Sequence, residues 1–295
     1  MFDSPYRRVA VAIDGSLAAE AAIQLAFTIL GGGGELAFIH ATDRDATIAH
    51  YVAQRGSGLG ALESMELFER SLFEGACKQA SALGFTSSGR AVDGFAGRAI
   101  VDYVRSSGVD AVFLGATGDH GIARSMLPST AESVLRAAEI PTFVVPRQRS
   151  SNNERPIGRI IVAIDDSDPS TRAIECAISL ARRTGADIQF ANVVECLFVR
   201  RANDRVVSTA ACEQAARAGV VADAVFVHGS TAEALIAAAE ACSADLIVVG
   251  THGRMGQARL RYGSVAEAVV RSAGCSVMVV PGRPSATRCE IPVSA

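Results

Sequence analysis

Asp245–Pro281 reads DLIVVGTHGRMGQARLRYGSVAEAVVRSAGCSVMVVP, and Asp110–Pro146 reads DAVFLGATGDHGIARSMLPSTAESVLRAAEIPTFVVP. Laid over one another without a gap, they agree at roughly 15 of 37 positions, with the glycines, the Ala-Arg pair, the S-x-A-E and the closing V-V-P in register. The openings correspond as well: RRVAVAIDGS at 7–16 and GRIIVAIDDS at 158–167. The offset is 151 residues at Asp14 and Asp165 but 135 at Asp110 and Asp245. The first copy therefore carries about 16 extra residues between its second strand and second helix, and the period marks a duplicated domain rather than a solenoid. The polar stretch RQRSSNNERP (147–156) lacks periodic apolar residues and reads as the linker. Domains are expected at 1–148 and 156–284, with a tail at 285–295.

Within the second copy, IIVAI (160–164) is a continuous β-branched run, as in a strand buried on both faces. SDPSTRAIECAISLARRTG follows as a helix with Ser and Asp at its start, an early Pro and a closing Gly185. DIQFANVV (187–194) is the second strand, a helix near 205–219 comes next, and ADAVFVHG the third strand. TAEALIAAAEACS, DLIVVG, SVAEAVVRSAG and CSVMVVP continue as helix, strand, helix and strand. Strands alternating with helices of this length predict an α/β fold: two tandem doubly wound domains, each a parallel sheet flanked by helices. In such sheets ligands bind beyond the carboxyl ends of the strands, where Asp165, Gly229 and Gly250 fall.

Composition narrows the function classes. A net charge of −3 and 5% aromatics without Trp give no attraction to nucleic acid and no stacking platform. No apolar run approaches the ~18–20 residues of a membrane span, and the N-terminus lacks the order of a secretory signal. A soluble, cytoplasmic protein is expected. The seven cysteines include no CxxC and suggest neither disulfides nor zinc; most are expected on buried faces, Cys289 in the exposed tail. His40, His50, His120 and His228 form no metal spacing, so no metal site is expected. GGGG at 31–34 reads as a helix-to-strand connection, and GSGLG at 56–60 as a loop.

The stretch with the clearest chemistry is Gly250-Thr251-His252-Gly253-Arg254, then Gly256, then Gly263-Ser264, a G-x2-G-x9-G-S pattern. Gly250 leaves a strand, while Gly253 and Gly256 let a loop bring backbone N–H groups close to a ligand. Gly263 and Ser264 open a helix, whose free N–H groups and dipole favour an anion. Ser264 can donate its hydroxyl to a phosphate, and Arg254, Arg259 and Arg261 add positive charge. Each feature has a plainer explanation, the glycines as tight connections and Ser264 as a cap; the fixed spacing between strand and helix favours phosphate binding. A P-loop is excluded because the only lysine, Lys78, sits in EGACKQA; the dinucleotide fingerprint is excluded because Asp-Gly-Ser or Asp-Asp-Ser follows the first strand. Asp165 can accept hydrogen bonds from a ribose or adenine amino group, or cap its helix; Val193 could pack on a base, or be core.

On these residues the chain resembles the universal stress protein family, over about 6–147 and 157–283. The resemblance implies a five-stranded parallel sheet in the order 3-2-1-4-5, an ATP-binding subgroup marked by the glycine motif, dimerisation through the last strand, and a cytoplasmic role in stress survival or metabolic regulation. It implies that Asp165 and Val193 hold adenosine, and that Gly250, Gly253, Gly263, Ser264 and Val265 hold ribose and phosphates. The expected ligand is ATP, with a Mg²⁺ that Asp165 and Asp166 could reach through water; the expected assembly is a homodimer.

The first copy keeps Asp14, Gly115, Gly118 and Ser129, but Pro128 replaces the third glycine and Asp119 stands where the second copy has Arg254. A lost N–H and an adverse charge each cost about 1 kcal/mol, so the first site is expected to be weak, empty or changed in ligand. The favoured function is an ATP-binding regulatory module. The alternatives are a slow ATP hydrolase or phosphotransfer enzyme, for which only His252 lies near the motif, and an interaction protein with vestigial sites.

Overall fold

A computed structural model describes residues 6–55, 60–116, 129–147, 157–194, 202–251 and 263–282. The first half runs β1 (Arg8–Ala12), α1 (Leu17–Leu30), β2 (Glu35–Thr42), α2 (Arg44–Arg55), α3 (Ala61–Ala82), β3 (Thr86–Asp93), α4 (Ala96–Ser107), β4 (Ala111–Gly115), α5 (Ser129–Ala137) and β5 (Thr142–Val145). The second runs β6 (Arg159–Ala163), α6 (Asp168–Thr184), β7 (Asp187–Val194), α7 (Ala202–Arg217), β8 (Ala222–His228), α8 (Thr231–Ala241), β9 (Leu246–Gly250), α9 (Ser264–Ser272) and β10 (Ser276–Val280).

Local chemistry accounts for the element ends. Ser167 caps α6 by accepting from the Ser170 N–H, a proline occupies the first turn, and Gly185 closes the helix in the left-handed region (φ 75°). Ser16 caps α1 in the same way, and Gly31 (φ 56°) ends it. The aspartate heading each repeated stretch pins two strands together. Asp245 Oδ2 accepts from the N–H groups of Gly158 and Arg159 (2.8 and 3.0 Å), and Asp110 Oδ2 from those of Arg7 and Arg8 (2.7 and 2.9 Å).

All ten strands join one sheet, in the order β3-β2-β1-β4-β5-β10-β9-β6-β7-β8. Each half contributes five parallel strands in the order 3-2-1-4-5, and the halves meet where β5 pairs antiparallel with β10. Phe143 lies opposite Met278, its equivalent in the repeat, so the pair marks an internal pseudo-twofold axis. Both are fully buried. Phe143 stacks on Phe113 (centroids 4.3 Å apart) and meets the Tyr6 ring edge-on at 6.0 Å.

Side-chain alternation divides the core into layers. On one face a continuous cluster runs through both halves beneath α1, α3, α6 and α7, from Val9 and Phe38 to Phe190 and Met278. On the other face, α4 and α5 cover one cluster and α8 and α9 another. Arg183 of α6 donates its Nε–H to the Ile29 carbonyl at the end of α1, a further tie between the halves.

One feature was not anticipated and two expectations need correction. The extra residues of the first half form the helix α2, none of whose described residues is buried. The helix α7 starts at Ala202, earlier than the predicted region near 205. The described cysteines (77, 176, 212, 242 and 275) are half-buried and pack against the core clusters rather than lying fully within them. Among the described residues no helix is long and apolar enough to cross a membrane.

Candidate functional site

The chain turns from one side of the sheet to the other between β6 and β9. The register places Ala163 beside Ala191 and Val162 beside Val248. The ends of β7, β6 and β9 therefore stand side by side, ~4.8 Å apart, with Val193, Asp165 and Gly250 at or just past them. Ala191 packs into the layer under α8 and α9, so Val193, two residues on, faces that same layer. The helix α9, which begins at Ser264, lies in it too, and Val265 packs against its core.

Asp165 is half-buried and already structured. Its Oδ1 accepts from the Ser167 N–H at 2.9 Å and from the Ser167 hydroxyl, while its own N–H donates to Ser170 Oγ at 2.9 Å. The turn that starts α6 thus fixes the carboxylate, and Ser167 rather than Asp165 is the helix cap.

Gly250 has a packing reason to be glycine. A Cβ there would stand 2.7 Å from the Pro169 Cβ and 3.1 Å from its carbonyl carbon, so α6 can approach the strand only if the side chain is absent. Gly115 repeats this in the first half, 2.8 Å from the Ala18 Cβ. Thr251 is buried at 6% exposure, donates its N–H to the Val280 carbonyl at 2.9 Å and accepts the Gly263 N–H on its own carbonyl at 2.6 Å. Gly263 is the N-cap of α9 and provides no side-chain hydrogen bond, and Ser264 is exposed. An uncapped first turn with an exposed hydroxyl at its head fits a phosphate.

His252, Gly253, Arg254, Gly256, Arg259 and Arg261, and in the first half Gly118, Asp119 and Pro128, lie outside the described residues. The structure brings Asp165, Val193, Gly250, Thr251, Gly263, Ser264 and Val265 to one edge. The first-half counterparts Asp14, Gly115 and Ser129 sit at the carboxyl edge of their own five strands. Because β5 and β10 run antiparallel, the two edges face opposite ends of the sheet.

Two features escaped sequence reasoning. Asn192, on the α7 side of β7, is 2% exposed, and its Nδ2 finds no partner among the described residues; an Asn inside an otherwise apolar strand ending was the available signal. Its first-half equivalent is His40, which contacts the Ile13 carbonyl through Nδ1 at 2.8 Å and meets Phe68 of α3 edge-on at 5.6 Å.

The fold and edge define a tandem α/β protein with doubly wound halves joined through their last strands. The family model of the universal stress protein family matches residues 5–146 and 156–281, and the chain belongs to that family. A universal stress protein of Methanocaldococcus jannaschii is 32% identical over 144 residues, covering 44% of this chain and 85% of the relative. The crystal structure of a universal stress protein from Archaeoglobus fulgidus superposes with a TM-score of 0.71 at 18% identity, covering 95% of this chain and 98% of that one. A universal stress protein solved in complex with cAMP is 29% identical, covering 42% of this chain and 95% of that one, with a TM-score of 0.36.

Proposed function

We propose that the second half, within residues 156–284, binds ATP at the carboxyl edge formed by Asp165, Val193 and the start of α9, and acts as a nucleotide-dependent regulatory module of the stress response. The observation that carries this reading is the convergence of three unlike groups on one edge. A fixed carboxylate suits the ribose or adenine amino group, an apolar strand end suits the base, and an uncapped helix turn suits the phosphates. Gly250, Thr251, His252, Gly253, Arg254 and Gly256 complete the cradle in this reading, and a Mg²⁺, if bound, would be held through water by Asp165 and Asp166 and would offset phosphate charge. The first half, within residues 1–148, binds weakly or not at all, because Pro128 has no N–H and Asp119 replaces an arginine. The last strands are already paired within the chain, so a homodimer in the cytoplasm would use a surface other than β5 and β10.

Mass spectrometry of nucleotide released from the purified protein, with calorimetric titration of the nucleotide-free chain, tests this. Adenine nucleotide in the released fraction and one ATP per chain are expected. No bound nucleotide, no heat and no ATP-induced rise in melting temperature would overturn the reading. Two equivalent ATP sites would overturn the asymmetry, and a preference for cAMP would redefine the ligand.

A further inference from the structure

We propose that Gly263 is a positioning residue: its N–H clasps the Thr251 carbonyl, fixing the start of α9 beside the end of β9 and aiming the helix's first turn at the nucleotide. The inference rests on the ATP reading above and alters the part Gly263 plays in it. On the resemblance, Gly263 would touch the phosphates. In the structure its N–H is already spent on Thr251, at 2.6 Å.

The clasp has a firm base. Thr251 is buried and held from the other side by the Val280 carbonyl at 2.9 Å, so the acceptor is tied to β9 and β10 together. Gly263 also accepts the first hydrogen bond of the helix, from the Glu267 N–H at 3.0 Å. One residue therefore closes the loop that leaves β9 and opens α9. The first-turn groups that follow, at Ser264 and Val265, meet no capping side chain from Gly263.

Backbone conformation does not explain the glycine. Gly263 sits at φ −86° and ψ 152°, extended backbone open to any residue. Proline, fixed near φ of about −65°, comes close to that conformation, so what it takes away is chiefly the N–H. The repeat contains this substitution. Ala116, the counterpart of Thr251, keeps the upper bond by donating to the Val145 carbonyl at 2.7 Å. Pro128, the counterpart of Gly263, has no N–H to give the lower one. The half expected to have lost its phosphate site is the half in which the clasp is chemically impossible.

The test is amide hydrogen exchange by NMR on the full-length chain, with binding by calorimetry. Without nucleotide, the Gly263 amide should exchange at least ~10-fold more slowly than that of Ser264, and ATP should change it less than about twofold while protecting Ser264 and Val265. A Gly263 amide that exchanges freely until ATP is added is a phosphate ligand, and the proposal falls. Gly263→Ala should hold ATP within about threefold, whereas Gly263→Pro should weaken ATP by ~10-fold or more with adenosine affinity unchanged. Equal losses for Ala and Pro, or a loss of adenosine along with ATP, overturn the positioning role. Should Gly263→Pro fail to fold, the exchange pattern of the unaltered chain decides. Failure of that chain to bind ATP overturns the nucleotide reading and the positioning role with it; a protected Gly263 amide would then show the clasp as a loop closure alone.

Discussion

At the carboxyl edge of the second half, Asp165 is half-buried and held by Ser167, and Gly263 joins Thr251 to the start of α9. At the matching edge of the first half, Asp14 is exposed, its Oδ1 accepts the Ser16 N–H at 3.0 Å, and a proline stands at the clasp position. A longer α3 there lays Phe68 and Leu72 against Gly15, within 4 Å of where a Cβ would be, and Phe68 against His40. The strands beneath are the same in order and register. The difference teaches that the sheet and its helix caps form a frame that tolerates divergence at its carboxyl edge, because the residues that build the frame and those that finish the edge are largely separate.

The strongest way to break the comparison is at the frame both halves share. Met278→Asp places an unpaired charge opposite Phe143 on the pseudo-axis and should cost about 4 kcal/mol or more, unfolding both halves together in a single urea transition. Separate transitions would mean that the halves are independent and their likeness is not enforced by a shared core. Next come Gly250→Ala and Gly115→Ala, each forced against the helix that follows the first strand. Both should lose ~1–3 kcal/mol by chemical denaturation, and by similar amounts, since packing rather than ligand sets the cost. A large loss only at Gly250 would show that the frame itself has diverged. Asp165→Ala should weaken ATP about 10-fold or more in calorimetry while Asp14→Ala changes it less than twofold, which sharpens the comparison to the edge. An equal effect at both would restore two working sites.

The smallest expected effect concerns pH. Burial, then the neighbouring Cys176 across the half-to-half boundary, raises the Tyr6 hydroxyl well above its ordinary value of 10.0; burial chiefly raises the Cys176 thiol from 9.0. Both are acids held in their neutral form by the fold. Their contribution is therefore complete below the unfolded values and lost as pH climbs past them. The urea midpoint should fall between pH 9 and 11, and Tyr6→Phe should flatten that fall. A midpoint independent of pH over this range would contradict the buried contact between halves.

Much of the frame was legible because its signals are local. Ser167 with Pro169 and Gly185 marked both ends of α6, and DIQFANVV matched β7 residue for residue. The helix α2 was not legible, since in RDATIAHYVAQR the larger apolar residues, Ile48, Tyr51 and Val52, make only a short stripe and none of them is fully buried. Of the edge, the aspartate and the helix start were visible by residue type. The contact of Gly250 with Pro169 was not, because the two are far apart in sequence and a glycine does not announce what fills its missing side chain. The clasp is bonded backbone to backbone, so its one sequence trace is the exclusion of proline, readable only once Pro128 is set beside Gly263.

The β5–β10 seam has a consequence for how such a protein can change over time. In an assembly of identical single-domain chains, one substitution alters every copy of a site at once. Here the seam lies within one chain, so each half always meets the other at the high effective concentration of a tether. A change such as proline at 128 is then confined to one half, while the other half keeps a glycine at the matching position, 263. Duplication has turned an obligatory symmetry into a licence for the two ends of the sheet to specialise.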